Sequence, residues 1–360
     1  MKISIGSNII KGPWGGGNRF AISLSEYLEN KGWNVTTGLS DGDIDIILMT
    51  EPRITSKTGA YNQRQISKYL IKKPDTIVIH RINECDERKG TKGINKYLMR
   101  ANRVADYTIF ISDFLKNLFI KNRLFKSKES SAVRNGADAD LFNREGREKW
   151  DGKSPLRIMT HHWGYSRNKG FDIYEKLGKI NSIGNLKIEF SYIGKIPDDV
   201  KPEGIKIILP LSGKELADEL KSNHIYVTGS MNEPAGMHHI EGAMCGLPLI
   251  YRNSGALPEY CEGFGVMFES VNDFEDKLKE IIEKYDYYYD RLVKYPYNSD
   301  LMCMKYEKTF VNLLQKKVEF NKAKRRLKYM ILFIEESFLQ VLSTLMIKLK
   351  KLIKKMRGFK

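Results

Sequence analysis

Short apolar runs alternate with longer segments of amphipathic helical periodicity through the first part of the chain. The apolar runs predict strands at residues 2–10, 44–49, 76–80, 107–111 and 131–134, with a glycine loop at 12–17 and helices at 18–31, 61–71, 95–104 and 113–125. Alternating strands and helices are typical of a parallel sheet with helices on both faces. We therefore predict an α/β domain of the Rossmann type.

The same pattern returns after a break at residues 135–155, a stretch with three glycines and mixed charges. Beyond the break, strands are predicted at 156–160, 187–193, 205–209, 225–228 and 248–251, and helices at 170–180, 213–221, 237–245, 272–285 and 301–315. We predict an N-terminal Rossmann-like domain at 1–150, a C-terminal one at 151–295, a closing helix at 296–320 and a basic amphipathic tail at 321–360.

The positive charge of the chain is concentrated at its C-terminal end. Of the net charge of +16, residues 322–360 carry +10, from twelve Lys and Arg against two Glu, so the first 321 residues carry only +6. A mildly basic body suits a protein that binds anionic small molecules. The four cysteines form no C-x-x-C pair, and no apolar leader follows Met1, so we expect a cytoplasmic protein.

The most informative segment is residues 232–248, which lies between two predicted strands. A helix is predicted to begin at Gly236, and unpaired N–H groups at a helix N-terminus can hold a phosphate. Glu241 lies more than a turn further on and could accept hydrogen bonds from a ribose diol. The alternative is structural, with Glu233 as an acid of the capping region and Glu241 as a solvated helix residue.

This segment also carries a family resemblance. Glu233 and Glu241, with seven residues between them and with residues 242–248 and 254–259 following, resemble the signature of glycosyltransferase family 4. Other matches to that family are Trp14-Gly15-Gly16-Gly17 with its glycine loop, His80 with its N-domain histidine, Asn135-Gly136-Ala137-Asp138 with its linker motif and Lys169-Gly170 with its Lys-Gly pair. The resemblance implies a retaining enzyme of GT-B architecture, with two Rossmann-like domains facing a cleft.

The resemblance also implies roles for individual residues. Glu241 would bind the donor ribose, Glu233 the hydroxyls of the transferred sugar, and Lys169 the leaving diphosphate. The implied catalytic residues are His80, Lys169 and Glu233, and the implied donor-binding residues are Gly16, Gly17, Gly236, Met237 and Glu241. We add Arg167 to the predicted donor-binding residues for the reason that follows.

One departure from the family concerns its second phosphate-binding cation. The family usually has an arginine about six residues before the lysine, and here residues 161–169 place none at that position. Arg167, two residues before Lys169, and more weakly His162 are the candidates for its role.

Metal sites are weighed separately, because other glycosyltransferases hold a divalent ion with an Asp-x-Asp motif. Asp41-Gly42-Asp43, Asp43-Ile44-Asp45 and Asp138-Ala139-Asp140 match that motif by letters, but acidic residues beside turns are common. We expect no metal site and no cofactor other than a nucleoside diphosphate sugar as donor substrate.

The basic tail predicts a surface helix. Residues 330–347 include 12 apolar residues of 18 but are too polar to span a bilayer. Further along, Leu345, Leu349, Leu352, Ile353 and Met356 share one helical face, with lysines around the rest. Such a helix suits an anionic membrane surface. The alternatives are a partner-binding helix and a nucleic-acid arm, but few aromatics interleave the lysines, so no nucleic acid is expected.

These observations lead to one functional prediction and two alternatives. We predict a retaining, metal-independent transferase that moves a hexose-type sugar to a lipid-linked or membrane-proximal glycan, on the cytoplasmic face of a membrane. The first alternative is a sugar-nucleotide epimerase of similar fold. The second is a non-catalytic sugar- or nucleotide-binding protein tethered by its tail.

Overall fold

The computed structural model describes residues 1–10, 15–53, 56–122, 129–316 and 321–357. It contains two α/β domains, each built on a parallel sheet, and the two face each other across a cleft. The predicted fold class, a GT-B arrangement of two Rossmann-like domains, is confirmed. Trp14 of the predicted glycine loop lies outside the described residues.

The N-terminal domain has a six-stranded parallel sheet in the order β2-β1-β3-β4-β5-β6. Its strands are β1 (Lys2–Ile5), β2 (Asn34–Thr36), β3 (Ile46–Met49), β4 (Ile77–Ile82), β5 (Tyr107–Phe110) and β6 (Ser130–Ala132), and its helices are α1 (Gly16–Asn30), α2 (Gln63–Lys72), α3 (Asp86–Lys89), α4 (Ile94–Asn102) and α5 (Asp113–Lys121). The central strands β3 and β4 are buried along their whole length, which explains the unbroken apolar sequence of β3 and the apolar start of β4.

The C-terminal domain repeats this plan with the strand order β10-β9-β7-β11-β12-β13, and β8 pairs antiparallel with β9. Its strands are β7 (Leu156–His162), β8 (Ser182–Ile183), β9 (Leu186–Gly194), β10 (Ile205–Ile208), β11 (Ile225–Thr228), β12 (Leu249–Arg252) and β13 (Gly265–Phe268), and its helices are α6 (Phe171–Gly178), α7 (Gly213–Lys221), α8 (Met237–Met244), α9 (Leu257–Cys261), α10 (Phe274–Glu283) and α11 (Tyr285–Arg291). Short 3₁₀ turns stand at Arg167–Lys169 and Leu292–Lys294. Two further helices follow, α12 (Ser299–Gln315) and α13 (Lys322–Arg357).

The chain crosses between the domains twice, and the two crossings touch. Ala137 forms a β-bridge with Asn298. A Cβ atom at Gly136 would lie 1.9 Å from the Asn298 carbonyl oxygen, so only glycine fits there. After the second crossing, α12 packs on α1 and buries Tyr306 and Phe310 in the core of the N-terminal domain. The segment predicted as a closing helix therefore belongs to that domain.

Helix α9 joins the domains at a second place. The Glu259 carboxylate accepts hydrogen bonds from the backbone N–H groups of Asp113, at 2.9 Å, and Phe114, at the start of α5. The Tyr260 hydroxyl donates to the Ile111 carbonyl at 2.9 Å. The end of the 254–259 motif therefore holds the N-terminal domain and does not face the cleft.

The first half of α13 is part of the folded body. It lies against α2, where it buries Tyr329 and Leu332, and the Glu336 carboxylate accepts a 2.9 Å hydrogen bond from Gln63. The Arg325 guanidinium binds both carboxylate oxygens of Asp106, at 2.7 and 3.0 Å. The sequence predicted a tail beyond the two domains, but the structure incorporates its first half into the helical layer of the N-terminal domain.

Further along α13, the apolar side chains of Ile334, Phe338, Val341 and Leu345 are 56–64% exposed. Their i, i+4, i+7 and i+11 spacing places them on one side of the helix. Of the helices in the described ranges, none combines the length and apolarity needed to cross a bilayer.

Candidate functional site

A cavity of about 370 Å³ lies in the cleft between the domains. The N-terminal domain lines it with the start of α1, the residues that follow β4, and α3; the C-terminal domain lines it with the end of β7, Lys169, residues 210–212 and the 233–241 segment. The carboxyl ends of parallel strands and the N-termini of helices meet there, which is where open α/β sheets bind ligands. Of the predicted site residues, Lys169, Glu233, Gly16, Gly17, Gly236, Met237 and Glu241 all line this cavity.

Lys169 and Glu233 form a buried ion pair at the centre of the cavity. The Lys169 Nζ atom lies 2.6 Å from Glu233 Oε2, and both residues are more than 90% buried. Burial acts to raise the pKa of Glu233, but the nearby charges of Lys169 and Arg88 outweigh it and hold the pKa at about 2. Glu233 is therefore a carboxylate at neutral pH, able to accept hydrogen bonds from sugar hydroxyls.

Tight backbone packing fixes both residues of the pair. Gly170, just after Lys169, has φ +98°, and a Cβ atom there would lie 2.4 Å from the backbone of Gly229. The residue before Glu233, Asn232, has φ +51°, the one positive value at a non-glycine residue in the described ranges. The backbone N–H of Asn232 donates a 2.9 Å hydrogen bond to Ser254 Oγ. These contacts explain the Lys-Gly pair and the serine of the second motif.

Glu241 projects from α8 into the same cavity and is held by a histidine. His161 Nε2, at the end of β7, donates to Glu241 Oε2 across 2.8 Å, and both side chains are buried. Burial acts to raise the pKa of Glu241, but the His161 contact outweighs it and the pKa is lowered. Glu241 therefore stays ionised, and His161 fixes the orientation of its carboxylate at the cavity wall.

Two helix N-termini face each other across the cleft. Gly236 caps α8 and Gly15 caps α1, and neither helix has a side-chain N-cap. The two helices approach so closely that a Cβ atom at Gly16 would lie 2.7 Å from Met237 Cγ. Unpaired N–H groups and the positive ends of two helix dipoles favour an anion at this point.

His80 lies outside the cavity, so its predicted catalytic role is not supported by the geometry. The side chain is fully buried on the opposite face of β4, where its Nδ1 accepts a 3.0 Å hydrogen bond from Asn102. Burial lowers the pKa of His80 to about 3, so the ring is neutral. Strand β4 continues to Ile82, two residues beyond its predicted end, and this brings Arg81 and Asn83 to the cleft instead.

Arg167 also lies outside the cavity, contrary to the expectation that it binds the donor. It is exposed on the surface and forms ion pairs with Asp199 and Glu175, at 2.8 and 2.9 Å. His162 does line the cavity, but its Nε2 atom hydrogen-bonds to the Tyr174 hydroxyl at 2.6 Å. Burial lowers its pKa far below the usual value, so at neutral pH it is no phosphate-binding cation.

The sequence analysis missed several residues that the fold brings to the cleft. Arg88, from the short helix α3, lies with Nε 3.5 Å from Glu233 Oε1. His161 and His238 also line the cavity, and they pack with His162 and His239 where β7 ends and α8 begins. Sequence adjacency in two His-His pairs was a signal for this cluster, but nothing in the sequence showed that the pairs meet.

The acidic pairs weighed as metal motifs have other partners. Asp41 and Asp43 form ion pairs with Lys2 Nζ, at 2.8 and 2.9 Å, and Asp45 accepts a hydrogen bond from the Lys2 amide. In the portion of the chain that the structure describes, no three His, Cys, Asp or Glu side chains are grouped as metal ligands.

Comparison with known proteins finds one family match. Residues 200–299, which contain β11, α8 and β12, match the sequence model of the family described as "Glycosyl transferases group 1". A search of curated proteins finds no significant match to the sequence.

Three of the solved structures similar to this chain align over nearly their whole length. Sucrose-phosphate synthase from Thermosynechococcus elongatus aligns over 88% of this chain and 99% of its own, with a TM-score of 0.62 and 12% identity. HepE from Anabaena, solved in complex with UDP-glucose, aligns over 87% and 100%, with a TM-score of 0.63 and 12% identity. A glycosyltransferase from Rickettsia africae aligns over 87% and 98%, with a TM-score of 0.59 and 15% identity. At these identities the likeness establishes a shared fold.

Proposed function

We propose that this chain, whose residues 200–299 match the group 1 glycosyltransferases, transfers a sugar from a nucleoside diphosphate sugar to an acceptor hydroxyl with retention at the anomeric carbon. The observation that carries the proposal is the Lys169–Glu233 pair, with Nζ 2.6 Å from Oε2, at the convergence of the α1 and α8 N-termini. This arrangement offers a phosphate site and a sugar-binding carboxylate side by side.

The proposed reaction breaks the bond between the anomeric carbon and the diphosphate oxygen, and the electron pair stays on that oxygen. The acceptor hydroxyl oxygen forms the new bond to the anomeric carbon, and its proton passes to the departing diphosphate. Lys169 and the N–H groups at the start of α8 oppose the negative charge that develops on the leaving group. Preorganised groups of this kind typically account for a large part of the rate enhancement.

Glu233 and Glu241 take different roles in this proposal. Glu233, ionised because two cations adjoin it, accepts hydrogen bonds from the transferred sugar. Glu241, oriented by His161, accepts from the two ribose hydroxyls. The first donor to test is UDP-glucose, which is bound in the HepE structure of the same fold.

We propose that the acceptor is a lipid-linked or membrane-proximal glycan and that the protein associates with the cytoplasmic face of a membrane. Two features support this. The apolar side chains of α13 between Ile334 and Leu345 are exposed, and the sequence places Lys348, Lys351 and Lys354 just beyond them. A surface helix with this composition binds anionic lipid through both burial and charge.

The experiment that tests the function uses the full chain with UDP-, GDP- and ADP-sugars and monitors donor cleavage and product configuration by NMR. The expected result is a glycoside with the anomeric configuration of the donor. Inversion at the anomeric carbon would contradict the retaining assignment. An isomerised sugar nucleotide without acceptor would favour the epimerase, and tight binding without turnover would favour a non-catalytic protein.

Lys169→Ala and Glu233→Gln serve as matched controls within the site. Each substitution should reduce the turnover rate by orders of magnitude if the activity of the purified protein arises in this cleft. Retention of the full activity in both variants would assign it to a contaminant or to another site.

A further inference from the structure

Helix α3 of the N-terminal domain bridges the cleft to both loops that carry the central ion pair. The Asn168 side-chain amide, next to Lys169, donates a 3.2 Å hydrogen bond to the Arg88 carbonyl oxygen. The Asn232 side-chain amide, next to Glu233, donates to the Glu87 carbonyl at 3.5 Å. A helix of four residues from one domain is therefore tied to the two loops of the other domain that hold the reactive groups.

The guanidinium of Arg88 extends from α3 into the cavity. Its Nε lies 3.5 Å from Glu233 Oε1, while Lys169 occupies the other oxygen of the same carboxylate. The Nε atom is buried and has no hydrogen-bond acceptor among the described residues, whereas one terminal nitrogen binds Glu84 at 3.1 Å. Because a buried donor without an acceptor is costly, this N–H group would gain from an acceptor oxygen of a ligand in the cavity.

The charges around this point favour an anionic ligand. Three cations stand here, because Lys89 also lines the cavity and pairs with Glu84 at 2.6 Å. Against Arg88, Lys89 and Lys169 there are two carboxylates, Glu84 and Glu233, so the cluster has a formal net charge of +1. A diphosphate would bring the negative charge and the acceptor oxygens that the cluster lacks.

We infer that Arg88 is the second phosphate-binding cation of the site and a catalytic residue supplied by the N-terminal domain. The inference rests on the proposed function. As the bond between the anomeric carbon and the diphosphate breaks, Arg88 and Lys169 together neutralise the oxygen that keeps the electron pair. Arginine suits this role because its planar guanidinium binds two phosphate oxygens at once and stays charged.

The assignment has a mechanistic consequence. Lys169 belongs to the C-terminal domain and Arg88 to the N-terminal domain, so the two cations meet on one diphosphate only when the domains are closed around the donor. In an open cleft, the bound donor would contact only one of these two cations, and the leaving diphosphate would be less well neutralised. Cleavage of the donor therefore depends on domain closure, which limits hydrolysis of the donor before the acceptor is bound.

The test compares Arg88→Gln, Arg88→Lys and Arg167→Ala in the full chain. Arg88→Gln removes the charge and keeps a polar amide with two N–H donors, and thermal unfolding checks that the variant is folded. Two measurements are made: affinity for uridine and for UDP by calorimetry, and the single-turnover rate of cleavage of the active donor.

We expect Arg88→Gln to weaken UDP binding without changing uridine binding, and to slow cleavage by about 100-fold, the typical effect of losing one charge-stabilising donor. Arg88→Lys should recover part of the rate. Arg167→Ala should match the wild type, because that arginine pairs with Asp199 and Glu175 outside the cavity.

A folded Arg88→Gln protein with wild-type UDP affinity and cleavage rate would overturn the inference, as would an equal or larger loss in Arg167→Ala. Failure of the proposed function gives a different pattern. In that case the wild type itself neither binds UDP, GDP or ADP nor cleaves any of their sugars, and Lys169→Ala changes nothing.

Discussion

The imidazole of His161 donates a hydrogen bond from Nε2 to Glu241 Oε2 across 2.8 Å, linking the end of β7 to the middle of α8. The contact joins two elements of the C-terminal domain at the wall of the cleft. It fixes the direction of the carboxylate and keeps it ionised. If Glu241 binds the donor ribose, the strength of that binding depends on His161 as well.

Replacing Glu241 with Gln tests the ribose contact. The amide keeps one acceptor and loses the charge, so donor affinity should fall by about 1.5–3 kcal/mol, the range for hydrogen bonds to charged groups. Calorimetry with the nucleoside diphosphate and its 2′-deoxy and 3′-deoxy analogues measures this. The wild type should discriminate against both analogues, and Glu241→Gln should lose most of that discrimination.

A double-mutant cycle with His161→Leu extends this test. His161→Leu alone should weaken donor binding by a smaller amount than Glu241→Gln, because the carboxylate remains but is no longer oriented. In the double variant the two losses should be less than additive, since the residues act as a unit. Full additivity would show that His161 does not act through Glu241.

The charge of Lys169 predicts an alkaline limit to activity. Burial lowers the pKa of Lys169 below its usual value of 10.5, with Glu233 opposing this effect. A lysine loses its charge as pH rises through its pKa, so the cleavage rate should fall at a pH below 10.5. Lys169→Arg should retain some activity, and its loss of activity should occur at a higher pH, because arginine stays protonated. An alkaline limb at the same pH in both proteins would assign it to another group.

Metal independence can be tested directly with a chelator. If Lys169 and the two helix N-termini oppose the leaving-group charge, donor cleavage in excess EDTA should stay within about twofold of the untreated rate. The control adds Mg²⁺ or Mn²⁺ back in excess. Loss of activity in EDTA and its recovery with either ion would show that a divalent cation accompanies the diphosphate.

The packing of α13 predicts that two truncations behave differently. Deletion of residues 322–360 removes Tyr329 and Leu332 from the surface of α2, and burial of each such side chain is worth about 1.5–3 kcal/mol. This variant should unfold at a clearly lower temperature than the full chain. Deletion of residues 341–360 leaves those contacts intact and should preserve the unfolding temperature.

Vesicle binding separates the two halves of α13. The 341–360 deletion should lose sedimentation with anionic vesicles while keeping donor binding, and binding of the full chain should weaken with salt. Neutral phosphatidylcholine vesicles are the lipid control. If the shortened protein still sediments with anionic vesicles, the membrane-binding surface lies elsewhere.

The alternation of apolar runs with helical segments was sufficient to predict both Rossmann-like domains. The resemblance to a glycosyltransferase family is confirmed at the level of the group 1 glycosyltransferases, whose sequence model matches residues 200–299. The pattern missed the short elements β2, β8, β13, α3, α9 and α11. These elements are only two to seven residues long, which is too short to show a clear periodicity.

Site residues that belong to continuous sequence motifs could be predicted. Site residues that tertiary packing brings to the cleft from elsewhere in the chain could not. Lys169, Glu233 and Glu241 stand in continuous motifs, and all three reach the cleft. His80 was misplaced because β4 continues two residues beyond it, to Ile82, so His80 lies within the strand and is buried there. Arg88 lies in the polar sequence Asp86–Lys89, which resembles any exposed turn until the second domain is placed opposite it.

The paired crossings at Gly136–Ala137 and Asn298 make the C-terminal domain an insertion within the N-terminal one. One core of the inserted domain is made only of buried residues between Trp150 and Tyr285 and is therefore continuous in sequence. The N-terminal domain needs later residues, because Tyr306 of α12 and Tyr329 of α13 belong to its packing and follow the inserted domain in sequence. The N-terminal domain can therefore complete its core only after the inserted domain has been synthesised, in contrast to the usual N-to-C order of domain folding.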